Sequence, residues 1–500
     1  MVNEKLKQLH AFIAEKGFIW GPAPEIYGGM AGFYEYGPLG KLLKNRVENA
    51  IRNVFEKHDF WEVECPTVMP AVVWKASGHL GGFTDPLIQD KDGGVYRVDK
   101  MIEEWCSEND VDFSSLKVEG ATKEHLLKVI KDNKILPPNG KELVMEIKDH
   151  SLMMRTTIGI DIEAYNRPET ATTTYLPFKN FDSFFRKKYP FSVFQIGKAY
   201  RNEISPRQSV MRGREFTQAE GQIFILKDQK NNFEKFELVK DKKLPLWFNT
   251  EKGIIEMTLG EAVEKGKLKN KAYAWTLSLG YELFLAMGIP KERIRMRQHA
   301  QDEMAFYADD AWDVEVNLNS YGWYEVCGIH DRTDYDLTQH AKESGQTLEA
   351  YNEETKEKEV PHVLEIAFGT DRPTYALLDI FYDGENEENK IFRIPRALAP
   401  VQLGVFPLVN KISDKGLEVF NLLNSKFRCQ FDKSGSIGKR YARADNIGIP
   451  ICVTVDFDSL EDNSVTLRER DSGEQIRVNI DDLIPKINSY LEGSDFKKLE

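Results

Sequence analysis

The most constraining stretch of the chain is residues 191–226, FSVFQIGKAYRNEISPRQSVMRGREFTQAEGQIFIL. It predicts two strands, 191–203 and 214–226, joined by a polar, basic loop in which Ser205, Pro206 and Gly213 favour a turn. Side chains alternate faces along a strand. Gly197, Ala199, Arg201 and Glu203 therefore share one face of the first strand, and Phe216, Gln218, Glu220 and Gln222 one face of the second. Such a face is a poor hydrophobic core and a good floor for a flat, charged ligand. Arginine matches phosphate geometry, an aromatic ring stacks on a base, and the two small residues leave space. Taken singly, each of these residues reads as part of a solvated face; the set does not.

The 500-residue length implies two or three domains, and 41% hydrophobic residues suffice for real cores. The net charge of −13 argues against nucleic-acid binding through bulk charge, which leaves local basic patches as the route to such a partner. Cys65, Cys106, Cys327, Cys429 and Cys452 form no CxxC pair, so neither a disulfide framework nor a cysteine zinc site is expected, as fits a reducing cytosol. No apolar run reaches membrane-spanning length, and the N-terminal MVNEKLKQLHAF reads as a short amphipathic helix.

A glycine-rich loop, 28–40, leads into a helical pattern with Leu42, Leu43, Val47, Ala50, Ile51, Val54 and Phe55 on one face. FWEVECPTVMP is expected to be one strand, with Pro66 suited to an edge or interface. Residues 88–150 and 227–290 read as insertions, the first with a helix near 120–132, the second partly lysine-rich and solvated. Val363–Phe368 predicts a buried strand, Gly369 a turn, and Asp371 a cap for a helix with Pro373 in its first turn. Arg372 then starts that helix, near Glu365. Beyond the acidic linker DGENEENK, residues 398–500 alternate strand, helix and strand as a compact α/β unit.

RNEISPR followed by REFTQAE resembles motif 2 of the class II aminoacyl-tRNA synthetases, in wording similar to the homodimeric archaeal and eukaryotic glycyl-tRNA synthetases. The 40–70 region resembles motif 1, the dimer interface of the family, and PHVLEIAFGTDRPTYALLDIFY resembles motif 3. RPETA at 167–171 and RMRQHAQDEMAFYADDAWDVEV at 295–316 are further family-like segments. SGSIGKRYARADNIGIP and TLRERDSGEQIRV resemble the anticodon-binding domain shared by glycyl, threonyl, prolyl and histidyl enzymes.

The resemblance implies an α+β catalytic domain over 1–390, an antiparallel sheet flanked by helices, and an α/β anticodon-binding domain over 398–500. It implies a cytoplasmic, homodimeric glycine–tRNA ligase acting on ATP, glycine and tRNA-Gly, with Mg²⁺ accompanying ATP. In that reading Arg201 and Arg372 are catalytic, and Arg201, Glu203, Arg212, Phe216, Glu365 and Arg372 bind ATP. Glu169, Glu220 and Arg332 hold glycine, Glu365 leads the Mg²⁺ ligands with Glu325 second, and Arg440, Arg443, Arg468 and Arg470 face the anticodon. Glu303 and Asp313 are read as supports. Thr172–Thr174 stand where the family has Gln-Gly, Phe306 replaces a histidine, and Ala367 replaces a serine. Leu136-Pro137-Pro138-Asn139-Gly140 lacks the cysteines of the zinc-type turn of the family, so no zinc is expected. A class II enzyme for another amino acid and a catalytically silent tRNA binder remain as alternatives.

Overall fold

In the computed structural model, residues 2–499 are described except 119, 205, 207, 301, 302, 305, 306 and 384–390. Ser205, Phe306 and nearly all of the acidic linker thus lie outside the described residues. Nine strands form one sheet: β1 (Phe60–Glu62), β2 (Phe191–Tyr200), β3 (Glu215–Ile225), β4 (Lys243–Trp247), β5 (Ile255–Thr258), β6 (Ile294–Gln298), β7 (Asp310–Leu318), β8 (Gly322–Asp331) and β9 (His362–Gly369). Their order is β5-β4-β6-β7-β8-β9-β3-β2-β1. All neighbours run antiparallel except β4–β6 and β2–β1.

The predicted hairpin is β2–β3, with Gly197 opposite Gln218 and Ala199 opposite Phe216, but β2 stops at Tyr200, so Arg201 and Glu203, expected on the strand face, lie in the connecting loop. Across the next ladders Glu220 stands opposite Ala367, which stands opposite Gly328; Gln222 stands opposite Glu365, which stands opposite His330. Residues opposite one another share a face, so these rows tile one side of the sheet.

The other side is apolar and covered by helices α1 (Pro38–Lys57), α2 (Lys271–Ala286) and α3 (Asp371–Phe381). Leu43, Val47, Ile51, Val54 and Phe55 of α1 are buried there. Gly221 lets α1 approach, because a β-carbon at that site would lie 2.6 Å from Phe55 Cε1. FWEVECPTVMP is not one strand: β1 joins the large sheet, and Val68–Pro70 pairs instead with Ile162–Asn166. Pro66, which has no N–H to donate, falls in the break between them.

The 227–290 segment is not a solvated appendage. Its front supplies β4 and β5, and α2 is buried along most of its length in the central core. A helix that is apolar all round marks an interior element, and the lysine-rich lead-in hides that signal. Residues 84–151 carry their own three-stranded sheet, two helices and a separate apolar cluster. Residues 403–499 build a five-stranded sheet with another core.

One polar joint ties α1, β3 and α3 together. Asp371 does not cap α3. Its carboxylate accepts from Lys44 Nζ, from Tyr36 Oη at 2.6 Å and from the Thr217 N–H at 2.8 Å. Burial works to raise its pKa, and the Lys44 ammonium outweighs this and holds it below the usual carboxylate value. Lys44→Met is expected to cost about 3–5 kcal/mol by stranding a buried carboxylate, with part recovered when Asp371→Asn is added. Chemical denaturation of the three proteins checks this; a single variant as stable as wild type contradicts it.

Candidate active site

A cavity of about 1120 Å³ opens over the polar face of the sheet. It is lined by Arg201, Glu203, Arg212, Phe216, Glu220, Glu169, Glu325, Arg332, Glu365 and Arg372, so these ten side chains share one space.

At one end sit the aromatic ring and three arginines. Arg201 extends from the end of β2 between two rings, 5.5 Å from the Phe216 centroid and 5.4 Å from that of Phe83. Its Nε donates to the Pro168 carbonyl at 3.2 Å. Its two terminal nitrogens have no hydrogen-bond acceptor among the described residues. Arg212 forms an ion pair with Glu203 at 2.6 Å, which turns Glu203 into a support for that arginine. Arg372, at the start of α3, donates to the Glu325 carbonyl at 2.8 Å and lies over the Tyr324 ring. The Glu325 side chain is 56% exposed, the most open of the carboxylates paired with these arginines.

At the other end three carboxylates converge. Glu220, only 1% exposed, accepts from Thr170 Oγ1. It makes no ion pair with Arg214, whose guanidinium is spent on the carbonyls of Glu203 and Ala31. Burial, then Glu365 and Glu169, push the Glu220 carboxyl well above its ordinary value. Glu169 accepts from Thr172 Oγ1 at 2.9 Å and lies 3.6 Å from His79 Nε2. Burial opposes its ionisation, but His79 and Arg332 hold it low. Glu365 is likewise pulled down against burial by Arg332 and His330.

Several expectations are corrected here. Arg332 is not free for a substrate carboxylate. It grips Asp336 with two bonds, of 2.7 and 2.9 Å, and donates to both oxygens of Glu365 at 3.2 Å. Glu365, expected to lead the Mg²⁺ ligands, lies at the cavity floor and is bonded by Arg332, His330 Nδ1, Gln222 Nε2 and Tyr175 Oη. The space above Gly197 is not open for a ligand. The buried Arg167 guanidinium fills it, 2.2 Å from where a β-carbon would stand, bonded to the Cys65 and Lys198 carbonyls and to Gln195.

Glu303 and Asp313 lie with His299 in a group whose ligand atoms are within 4.8 Å of one another. Arg297 already supplies the cation there, at 2.7 Å from Glu303 and 2.9 Å from Asp313.

Three of the four arginines expected at the anticodon are structural. Arg440 is buried, donating to the carbonyls of Pro407 and Leu408. Arg470 is buried against the Gly448 carbonyl and pairs with Asp471. Arg468 makes a two-pronged pair with Asp445 at 2.9 and 3.0 Å. Only Arg443 stays open, with its side chain 48% exposed beside Asp432.

Sequence reasoning overlooked His79, His330 and the rim formed by Lys100, Glu103, Glu104 and Ser107 on the helix Val98–Asn109. None of these belongs to a local pattern; strand alternation after Gly328 was the one signal that places His330 on the cavity face.

The sheet, the motif arginines and the cavity between them define a class II aminoacyl-tRNA synthetase. Residues 161–381 match the family described as the tRNA synthetase class II core domain (G, H, P, S and T), and 402–490 match the anticodon binding domain. The glycine–tRNA ligase of Methanococcus maripaludis is 37% identical across 98% of this chain and 100% of its own length. That of Methanocaldococcus jannaschii is 38% identical across 98% of this chain and 99% of its own. The chain belongs to the glycine–tRNA ligase family. In fold alone it is similar to Giardia lamblia prolyl-tRNA synthetase, with a TM-score of 0.61 at 14% identity over 96% of this chain and 75% of that one.

Arg440→Ala is expected to lower the melting temperature of the C-terminal unit, because it leaves buried carbonyls without donors at about 1–3 kcal/mol. Arg443→Ala is expected to leave it unchanged. Thermal unfolding of the two variants checks the assignment; the reverse order contradicts it.

Proposed function

We propose that this cavity holds ATP and glycine side by side on one sheet floor and joins them. A glycine carboxylate oxygen attacks the α-phosphorus, the bond to pyrophosphate breaks, and glycyl-adenylate forms. A ribose hydroxyl at the 3′ end of tRNA-Gly then attacks the glycyl carbonyl, and AMP leaves. The observation that carries this reading is the division of a single floor into an end with Phe216 and arginines and an end with buried carboxylates beside Gly328 and Ala367.

Phe216 stacks on adenine. Arg201 points its free nitrogens at the α-phosphate and the attacking carboxylate, where charge develops during transfer. It takes the part first expected of Arg332, which serves instead as the internal counter-ion of Glu365 and Asp336. Arg212 and Arg372 hold the triphosphate tail. Glu325, 56% exposed with Oε1 3.5 Å from Arg372 Nη1, fits the Mg²⁺ that accompanies ATP, and such an ion neutralises phosphate charge. Glu169 and Glu220 hold the ammonium.

The catalytic part comprises 1–390 and the anticodon part 398–500. On the helix Ile437–Asn446, Lys439 and Arg443 are exposed one turn apart and suit contact with the tRNA backbone. A homodimer through the β1 edge fits the exposure of Trp61, packed at 5.3 Å against exposed Phe184. A cytoplasmic setting fits five unpaired cysteines, and no helix among the described residues is long and apolar enough to cross a membrane.

The two ends of the floor are separable by mutation. Arg201→Ala is expected to lower kcat for glycine-dependent ATP–pyrophosphate exchange by about 10²–10³-fold. Glu220→Gln should raise the glycine KM and leave the ATP KM alone. Burial and its carboxylate neighbours raise the Glu220 pKa, and an arriving ammonium favours its ionised form, so glycine binding is coupled to proton release there. The wild-type glycine KM therefore falls as pH rises, and Glu220→Gln flattens that slope. Steady-state exchange across a pH series checks both; a wild-type glycine KM independent of pH contradicts the ammonium assignment.

A further inference from the structure

We propose that His330 determines amino-acid specificity: its imidazole closes the amino-acid end of the cavity and excludes an α-substituent larger than hydrogen. This rests on reading the Glu169–Glu220 end as the ammonium site. His330 stands opposite Glu365, and two residues earlier Gly328 stands opposite Ala367, which in turn stands opposite Glu220. Gly328 and Ala367 would leave a gap on the floor beside Glu220. The His330 ring folds back along β8 and covers that gap: a β-carbon on Gly328 would meet His330 Cε1 at 2.6 Å. Glycine at 328 is thus what leaves room for the ring in that pose.

The ring is held in that pose. Nδ1 bonds to Glu365 Oε1 at 3.0 Å, and the His299 ring meets it edge-on at 6.1 Å. The side chain is only 20% exposed, and its open part faces the cavity. With the substrate ammonium against Glu169 and Glu220, the α-carbon lies over Ala367, beside the imidazole. Hydrogens fit there. A methyl group meets a ring that can retreat only by giving up its bond to a buried carboxylate, and overpacking of this kind is unfavourable. The selectivity lies in a wall fixed by Glu365 and built on Gly328.

The test is ATP–pyrophosphate exchange by the full-length enzyme with glycine and with alanine, at saturating ATP, for wild type, His330→Ala, His330→Asn and His330→Phe. His330→Ala is expected to lower the glycine-over-alanine ratio of kcat/KM by roughly 10–200-fold, the usual worth of one methylene in a pocket, without a matching change in the ATP KM. His330→Asn keeps a donor for Glu365 in a smaller side chain and moves the ratio the same way, so the test survives if the alanine variant does not fold. His330→Phe keeps a ring and keeps the ratio near wild type. A ratio unchanged in both smaller variants overturns the proposal. So does an equal loss in His330→Phe, which would trace discrimination to the Glu365 bond rather than to ring volume. If wild type shows no glycine-dependent exchange, the reading of the cavity itself fails.

Discussion

The Asp371 carboxylate holds the site together. It binds the ammonium of Lys44 on α1, the hydroxyl of Tyr36 and the Thr217 N–H of β3, and it opens α3. Thr217 follows Phe216, and Arg372 follows Asp371. One buried ion therefore sets the distance between the Phe216 ring and the Arg372 guanidinium at the proposed nucleotide end. Two charges removed from water gain little net stability over a well-packed apolar pair. What they add is geometry: a carboxylate with a cation and two further donors has one satisfactory arrangement, and the three elements meet in that arrangement only.

The amino-acid end works by a different balance. Glu169, Glu220 and Glu365 cannot all be ionised in a buried space with Arg332 as the near guanidinium. The structure resolves the conflict unequally. Arg332 and His330 hold Glu365 low, His79 and Arg332 hold Glu169 low, and burial with its carboxylate neighbours pushes Glu220 well above its ordinary value. In the reading proposed above, an ammonium bound at this end supplies a positive charge that favours ionised Glu220. Arg332 is meanwhile tied to Asp336 at 2.7 Å.

Much of this was legible in the residues. Period-two alternation placed Phe216, Gln218 and Glu220 on one face, because successive side chains of a strand point to opposite sides of the sheet. The dipeptide Asp371-Arg372 after a buried strand placed an arginine at a helix start. What could not be read depends on long-range contact. Gly197 looked like room for a ligand, and only the fold shows that Arg167 occupies it. Arg440, Arg468 and Arg470 looked like a basic patch, yet two bind buried carbonyls and one a buried aspartate, since an arginine stem and fork serve an interior polar network as well as a surface. The helix Val98–Asn109 reaches the cavity rim from a segment whose sequence carries no sign of it.

The central claim is that a floor of small residues, walled by buried carboxylates, selects the one amino acid without a side chain. ATP–pyrophosphate exchange by the wild-type enzyme across the twenty standard amino acids tests it most directly. The account predicts exchange stimulated by glycine, with alanine and serine far behind. Stimulation by any larger amino acid at a comparable kcat/KM, or by none of the twenty, would contradict it.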